Sequence, residues 1–320
     1  MPGRPRVTVR WRAELSTYVL RRLLQMIPVL LGATFIIFTM VFAIGDPSVG
    51  RCGERACPPA YVAHFRAEYH LDQPLIVQYG LYLGRLLQGD LGTTFNGASV
   101  AASLAERWPV TIKLALIALA FEAVVGISAG ILAGIRRGRF VDHLVTLSSL
   151  VVISIPVFVI GSLAQMVFGV RLGWFPVTAS NGTWSELLLP GLVLGSLSVA
   201  YISRLMRGTL VENLSADYVR TARAKGLAPS RVVGVHTLRN SLIPVVTYIG
   251  YDLGALMGGA IVTERIFNIN GVGGYLFRGI SEKDGTIVVG TLTFLVLVYL
   301  LANLVVDLLY GVLDPRISHD

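Results

Sequence analysis

Two acidic side chains stand inside long apolar segments, and they are the first candidates for chemistry in this sequence. Glu122 lies in the segment 114–135 and Asp252 in the segment 242–262, and neither segment holds another charged residue. An ionisable group in the middle of a bilayer is costly, so such residues usually face the protein interior and serve a function. We predict that Asp252 and Glu122 line a translocation pathway, with hydrogen bonding between helices as the alternative.

The two cysteines of the chain, Cys52 and Cys57, both lie in the segment that follows the first apolar stretch. This segment is expected to face an oxidising compartment outside the membrane, where disulfides persist. The two thiols are therefore predicted to form a local disulfide. A zinc site needs more ligands than two thiols, and only His64 and His70 are nearby, so no metal site is expected.

The polar segment between the fourth and fifth apolar stretches carries signals for both ends of a helix. Ser215 is suited to cap its N-terminus, Asp217 lies in the first turn, and Lys225 lies in the last turn. Gly226 marks the end, and Pro229 stands just beyond it. These signals predict one separate helix of about three turns in this loop.

Small and basic side chains make that predicted helix a candidate contact surface. Ala222, Ala224 and Gly226 leave room for another protein to approach closely, and Arg220 and Arg223 offer positive charge. A loop that only fixes membrane topology needs positive charge, but it needs neither helix caps nor small residues. We therefore predict that a partner protein binds at this helix.

The composition indicates that most of the chain lies in a membrane. Hydrophobic residues make up 54% of the sequence and the mean hydropathy is +0.67. Charged residues make up only 14%, compared with about 25% in soluble proteins. Six apolar segments are long enough, or nearly so, to cross a bilayer, and they lack the alternating pattern of membrane β-strands. The sequence predicts an all-α integral membrane protein with six transmembrane helices at residues 23–44, 114–135, 144–170, 187–203, 242–262 and 286–306.

Arginine and lysine are concentrated on one side of these predicted helices. Residues 1–22 are basic, as are the connections after the second and fourth helices, whereas the other connections are nearly balanced in charge. By the positive-inside rule both termini are cytoplasmic, and residues 45–110 form an extracytoplasmic loop. Membrane topology thus accounts for the net charge of +8, and no nucleic-acid partner is expected.

Proline and glycine positions predict local details. Pro74 and Gly89 bracket an apolar run, which predicts a short helix at 75–88 in the outer loop. Pro156 predicts a kink in the third span. Close helix contacts are predicted at two glycine pairs, Gly130 with Gly134 and Gly258 with Gly259.

The segments 217–226 and 239–244 together resemble the coupling motif of a known family. This family comprises the permease subunits of ATP-binding-cassette importers, in the dipeptide, oligopeptide and nickel branch of the binding-protein-dependent type. The general importer motif has Glu-Ala-Ala where this chain has Thr221-Ala222-Arg223, so the branch pattern is the better match. From near Tyr18 onward, further matching motifs are Gly45-Asp46-Pro47, Asp72-Gln73-Pro74, Gly89-Asp90-Leu91-Gly92, Asp307-Leu308-Leu309-Tyr310 and Asp314-Pro315-Arg316.

The resemblance implies a type I importer bundle, with a permease core at 111–314, a coupling loop at 206–240 and a cytoplasmic tail at 315–320. The implied partners are a homologous second permease subunit, two cytoplasmic ABC ATPase subunits, an extracytoplasmic substrate-binding protein and membrane lipid. The chain has no Gly-x-x-x-x-Gly-Lys-Ser/Thr motif, so we expect a transport subunit that is not an enzyme and has no cofactor. ATP and Mg²⁺ would bind the partner ATPases. The resemblance assigns ATPase coupling to Asp217, Tyr218, Arg220, Thr221, Ala222, Arg223, Ala224, Lys225 and Gly226.

The resemblance also implies ATP-driven import of short peptides, either dipeptides or oligopeptides, across a bacterial cytoplasmic membrane. Nickel and glutathione are alternatives, because similar permeases carry them and a separate binding protein selects the substrate. A stand-alone secondary transporter would be expected to show internal repeats, and the sequence shows no clear repeat. A membrane enzyme would need a group of catalytic residues at one depth, and the five histidines and two cysteines form none.

Overall fold

The structure is a computed structural model, and it describes residues 7–42, 57–68, 70–94 and 96–313. Apart from an isolated bridge between Thr93 and Ser99, the regular structure in these ranges is helical, which confirms the all-α class. The helices are α1 (Val7–Phe42), α2 (Pro59–Glu68), α3 (Leu75–Leu87), α4 (Val100–Phe121), α5 (Ile127–Ile135), α6 (Phe140–Ser154), α7 (Val157–Ala164), α8 (Trp184–Leu214), α9 (Asp217–Ala224), α10 (Pro229–Arg231), α11 (Leu238–Ile266), α12 (Val272–Ser281) and α13 (Gly285–Leu313). Segments with the wider π-helical turn follow α4, α7 and α10, at Glu122–Gly126, Gln165–Arg171 and Val232–Thr237.

Within the described residues, four helices are long and apolar enough to cross a membrane by themselves: Val19–Phe42, Val100–Ile135, Trp184–Leu214 and Gly285–Leu308. Two bent pairs meet the same criteria when each pair is taken together: Phe140–Ser154 with Val157–Arg171, and Pro229–Met257 with Ala260–Ile266. Counting each bent pair as one span gives six, at the positions that the sequence predicts. The cytoplasmic placement of both termini stays a prediction.

Proline breaks the third of these spans. α6 ends at Ser154, and Ile155 is extended because the ring of Pro156 disfavours a helical conformation in the residue before it. The helical segment that begins at Val157 is bent by 101° from α6. The predicted kink is therefore confirmed, and it is a complete break between two short helices.

The described residues within 1–106 and 275–320 form one compact unit, here called the terminal unit. Its centre contains buried side chains of α1, α3 and α13, namely Phe38, Tyr79, Tyr82 and Val289. The hydroxyl of Tyr82 lies 2.6 Å from Thr293 Oγ1 and so joins α3 to α13 by a buried hydrogen bond. α3 is the short helix predicted at 75–88, and its tyrosines attach it to the long helices.

Residues 107–274 form a second compact unit, here called the core unit. α8 contacts α5, α6, α7 and α11, so it is the element around which this unit is built. Buried side chains of α8, among them Met206 and Leu210, pack against Val245 of α11. The last span, Gly285–Leu308, falls in the terminal unit. The boundaries predicted from the sequence include this span in the permease core at 111–314.

Glycines allow α5 and the π-helical segment before it to approach α8 closely. A Cβ atom at Gly130 would lie 2.5 Å from Met206 Cβ and 2.6 Å from the carbonyl oxygen of Ser203. Gly126 and Gly134 face α8 at similarly short distances. The predicted contact at Gly130 and Gly134 is confirmed. The other predicted pair, Gly258 and Gly259, falls outside the part for which surroundings are described.

Replacing Gly130 with alanine is expected to destabilise the core unit by about 1–3 kcal/mol, because the added methyl group has no room beside Met206. The matched control is Gly208→Ala in α8, where an added Cβ meets no atom within 4 Å. Thermal unfolding of the purified chain in detergent, followed by circular dichroism, compares the two variants. Equal melting temperatures would contradict the close contact between α5 and α8.

Candidate functional site

The predicted coupling helix is α9, and it is shorter than the sequence indicated. It covers Asp217–Ala224, follows the extended residue Ala216 and has no side-chain cap. Ser215 belongs to the end of α8, where its hydroxyl donates to the carbonyl oxygen of Val211 at 3.2 Å. The prediction that Ser215 caps a three-turn helix is therefore wrong, because this hydroxyl bonds to the preceding helix.

The C-terminal end of α9 agrees with its prediction. Lys225 follows the last helical residue, and Gly226 has a φ of 75°, a left-handed conformation that glycine adopts at little cost. The backbone N–H of Gly226 donates to the carbonyl oxygen of Arg223 at 2.9 Å. The predicted helix stop at Gly226 is thus confirmed.

One face of α9 is buried against the chain and the other is exposed. Val219 and Ala222 are buried and pack with Leu227 and with Val232 of the π-helical segment before α11. The other predicted contact residues are exposed, namely Asp217, Tyr218, Arg220, Thr221, Arg223, Ala224, Lys225 and Gly226. The methyl group of Ala222 thus packs against the chain itself, which leaves less room for a partner there than predicted, and its part in ATPase coupling stays a prediction.

The exposed face of α9 is basic. Arg220, Arg223 and Lys225 are exposed on it, and Asp217 is the one acidic residue of the helix. The carboxylate of Asp217 lies 3.5 Å from Arg220 Nη1, but both side chains are largely exposed, so this pair contributes little. The surface is therefore complementary to an acidic partner surface.

The structure brings the two predicted membrane carboxylates together. Glu122 begins the π-helical segment after α4 and is fully buried, whereas Asp252 is half-buried in α11. The two carboxyl groups interact electrostatically, with Ser198 of α8 and Tyr248 of α11 beside them. Among the described residues no hydrogen bond of good geometry reaches the carboxyl oxygens of Glu122 or Oδ2 of Asp252, but Glu122 lies close enough to Asp252 and Ser198 for hydrogen-bond contact with both. Two carboxyl groups this close, one of them fully buried, form an acidic site that either a shared proton or a cationic group can neutralise.

Two other buried carboxylates of the core unit have partners. Glu264 Oε1 accepts a hydrogen bond from Thr111 Oγ1, and Oε2 accepts one from the N–H of Gly274, each at 2.7 Å. Asp142 forms a two-pronged ion pair with Arg207 of α8, in which Nη2 lies 2.8 Å from Oδ2. These carboxylates join helices to one another, which distinguishes them from the acidic site above.

The cysteine and metal predictions concern the outer loop. Cys57 is described and half-buried, but Cys52 lies outside the described residues, so the disulfide stays a prediction. In the ranges that the structure covers, no three His, Cys, Asp or Glu side chains are grouped to hold a metal ion.

Two family models match consecutive parts of the chain. Residues 126–319 match the family described as binding-protein-dependent transport system inner membrane component. Residues 15–115 match the one described as binding-prot-dependent transport system membrane comp, N-term. The chain belongs to this family of transport components. It is accordingly a multi-pass protein of the bacterial inner membrane, in agreement with its long apolar helices.

Named relatives align with this inner membrane component over almost its full length. It is 39% identical to the di/tripeptide transport system permease protein DppB of Pseudomonas aeruginosa, over 95% of this chain and 99% of the relative. It is 38% identical to the oligopeptide transport system permease protein OppB of Haemophilus influenzae. It is 36% identical to the dipeptide transport system permease protein DppB of Alkalihalophilus pseudofirmus. These last two alignments each cover 94% of this chain and 99% of the relative. The matches confirm the resemblance to the permease family that the sequence motifs indicated.

Two polar residues beside α9 form a contact that the sequence did not reveal, although Ser241 lies in the matching segment 239–244. Asn213 lies in the last turn of α8 and Ser241 in the first turn of α11, and Asn213 Nδ2 donates to Ser241 Oγ at 3.2 Å. Each position resembles the ordinary polar end of a membrane span, so composition gives no signal. Only the contact between the two helices distinguishes them.

Ala222→Asp is expected to loosen α9, because it places a carboxylate in the apolar contact with Val219 and Val232. Ala224→Asp puts the same group on the exposed face and should leave the helix in place. Hydrogen exchange of the purified chain measures the difference, and amides 217–224 should exchange about tenfold faster in the first variant. Equal protection in both variants would show that Ala222 does not attach α9 to the chain.

Proposed function

We propose that this chain is the membrane-spanning permease subunit of an ATP-driven importer that carries short peptides into the bacterial cytoplasm. The supporting observation is identity of 36–39% over nearly the full length to relatives named for dipeptides, for di- and tripeptides, and for oligopeptides. Nickel and glutathione, which the sequence left open, gain no support from these names. The complete alignment favours the same role in transport and not merely the same fold.

The form of α9 supports a contact with a partner ATPase. Its buried face is fixed to the chain at Val219 and Ala222, while its basic face is exposed. A short helix of this kind is suited to dock into an acidic groove and to move with the partner. In our proposal two cytoplasmic ABC ATPases bind ATP and Mg²⁺, and a homologous permease and an extracytoplasmic binding protein complete the transporter.

The carboxyl pair is proposed to line the translocation pathway. Tyr248, Tyr251 and Asp252 are three and four residues apart, so they share one face of α11. The ring of Tyr201 stacks on Tyr248 with a centroid distance of 6.3 Å, and half of its surface is exposed. A polar face in the middle of a span suits a peptide pathway better than lipid, and a carboxylate there complements the ammonium group of a peptide.

Ala224→Asp is expected to block ATPase docking, since it puts a carboxylate on the basic face that meets the acidic groove. In proteoliposomes with the complete transporter, ATP hydrolysis stimulated by the binding protein should fall by about tenfold or more. Ala224→Asn is the matched control, because its amide has nearly the size and shape of the carboxylate but carries no charge. Normal stimulation in the aspartate variant would show that the ATPase does not bind this face of α9.

Asp252→Asn is expected to reduce peptide uptake by about tenfold, a factor typical of losing a charged hydrogen bond, without affecting assembly. Asp252→Glu, which keeps the charge, should retain more uptake than the asparagine variant. Uptake of a labelled dipeptide into proteoliposomes measures both, and co-purification of the subunits checks assembly. Unchanged uptake by the asparagine variant would remove Asp252 from the pathway.

A further inference from the structure

A single amide group connects three helices at the base of α9. Asn213 Nδ2 donates to the carbonyl oxygen of Thr209 in its own helix at 2.9 Å and to Ser241 Oγ of α11 at 3.2 Å. The hydroxyl of Tyr218, in α9, donates to Asn213 Oδ1 at 2.8 Å. The side chain of Asn213 thus bonds to α8, α9 and α11 at once.

The chemistry of these partners requires an amide. The carbonyl oxygen of Thr209 can only accept a hydrogen bond, so the nitrogen of Asn213 must face it and the oxygen must face Tyr218. An aspartate at this position would have no donor for the carbonyl oxygen, and an alanine would have neither group. The side chain that fits must donate on one side and accept on the other.

α8 and α11 are held together firmly at the level of Asn213. Thr209 Oγ1 donates to the carbonyl oxygen of Ser241 at 3.0 Å, and the buried hydroxyl of Ser241 donates to the carbonyl oxygen of Thr237 at 2.9 Å. Met206 and Val245 continue this contact with apolar side chains. The ends of the two helices therefore behave as one piece.

Besides the chain connection through residues 215–216, side chains attach α9 to this piece at two points. Its apolar face rests on Val232, in the π-helical segment that leads into α11. The hydrogen bond from Tyr218 to Asn213 provides the second point, at the end of α8. A force on the exposed face of α9 therefore reaches α11 through Val232. It reaches α8 through the two-residue connection 215–216 and through this hydrogen bond, which fixes the direction in which α9 lies against the end of α8.

We propose that Asn213 is a positioning residue that, together with Tyr218, transmits the displacement of α9 to the joined ends of α8 and α11. In a working importer this hydrogen bond couples ATP hydrolysis on the partner to movement of the membrane helices. The inference rests on the proposed function and adds the residues through which the coupling passes.

The test uses the complete transporter in proteoliposomes and measures peptides imported per ATP hydrolysed. Tyr218→Phe and Asn213→Ala should each lower this ratio by about two- to tenfold, the factor expected for losing one hydrogen bond. Combining them should be no worse than Asn213→Ala alone, because both variants remove the same bond. Thr247→Ala is the matched control, since its hydroxyl bonds only within α11, to the carbonyl oxygen of Ile243 at 2.7 Å.

Tyr218→Phe removes one oxygen from a partly exposed side chain, so this variant is expected to fold normally even if Asn213→Ala does not. An unchanged ratio in the Tyr218→Phe transporter would overturn the inference. Loss of ATPase co-purification would also overturn it, because these residues would then serve docking. Absence of ATP-driven peptide uptake by the unaltered transporter would instead reject the proposed function, and the inference with it.

Discussion

Close contact between α8 and the helices around it holds the core unit together. Apolar helices in lipid gain little by burying apolar surface against one another, so their association depends on tight van der Waals contact and on hydrogen bonds. Gly126, Gly130 and Gly134 remove the side chains that would keep α5 away from α8, while Met206 and Val245 fill the space toward α11. Because α9 follows α8 after two residues, the position of the basic face of α9 depends on these same contacts.

Buried polar groups in the core unit are of two kinds. The carboxylates of Glu264 and Asp142 accept hydrogen bonds from residues on other helices. These two carboxylates therefore contribute to the assembly of the unit. The carboxyl oxygens of Glu122 have no such partners within the described chain, although the side chain is completely buried. Natural proteins rarely leave such groups unpaired without a functional reason. Glu122 thus differs from the carboxylates that join the helices of the unit, although it is buried as deeply as they are.

The sequence predicted the spans well because hydropathy reports directly on contact with lipid. It also predicted the break at Pro156 and the helix stop at Gly226, since both depend on the backbone of a single residue. The sequence-based prediction failed where a side chain has two possible contacts. Ser215 bonds back to α8 instead of capping α9, and Ala222 packs against the chain itself. Helix signals locate a short helix, but they do not reveal which face is covered.

The sequence identified the residues of the candidate sites one by one, but it did not predict which of them contact each other. Glu122 and Asp252 stood out separately because each interrupts an apolar segment. Their proximity arises because α11 and the π-helical segment that holds Glu122 both pack against α8, which no local pattern encodes. The hydrogen bond between Asn213 and Ser241 likewise joins two different helices, so no local pattern predicts it. Contacts between helices that are distant in the sequence can be recognised only in the folded bundle.

The small size of α9 has a consequence for attempts to imitate it. Isolated helices shorter than about 12–15 residues are marginal in water, and α9 has only eight residues and no side-chain cap. It is helical because Val219 and Ala222 are held against the rest of the chain. A synthetic peptide copying this segment would be unfolded and would bind poorly to any partner of the exposed face. A useful competitor would need a covalent staple on the face that these two residues occupy, so that the staple replaces the support of the membrane helices.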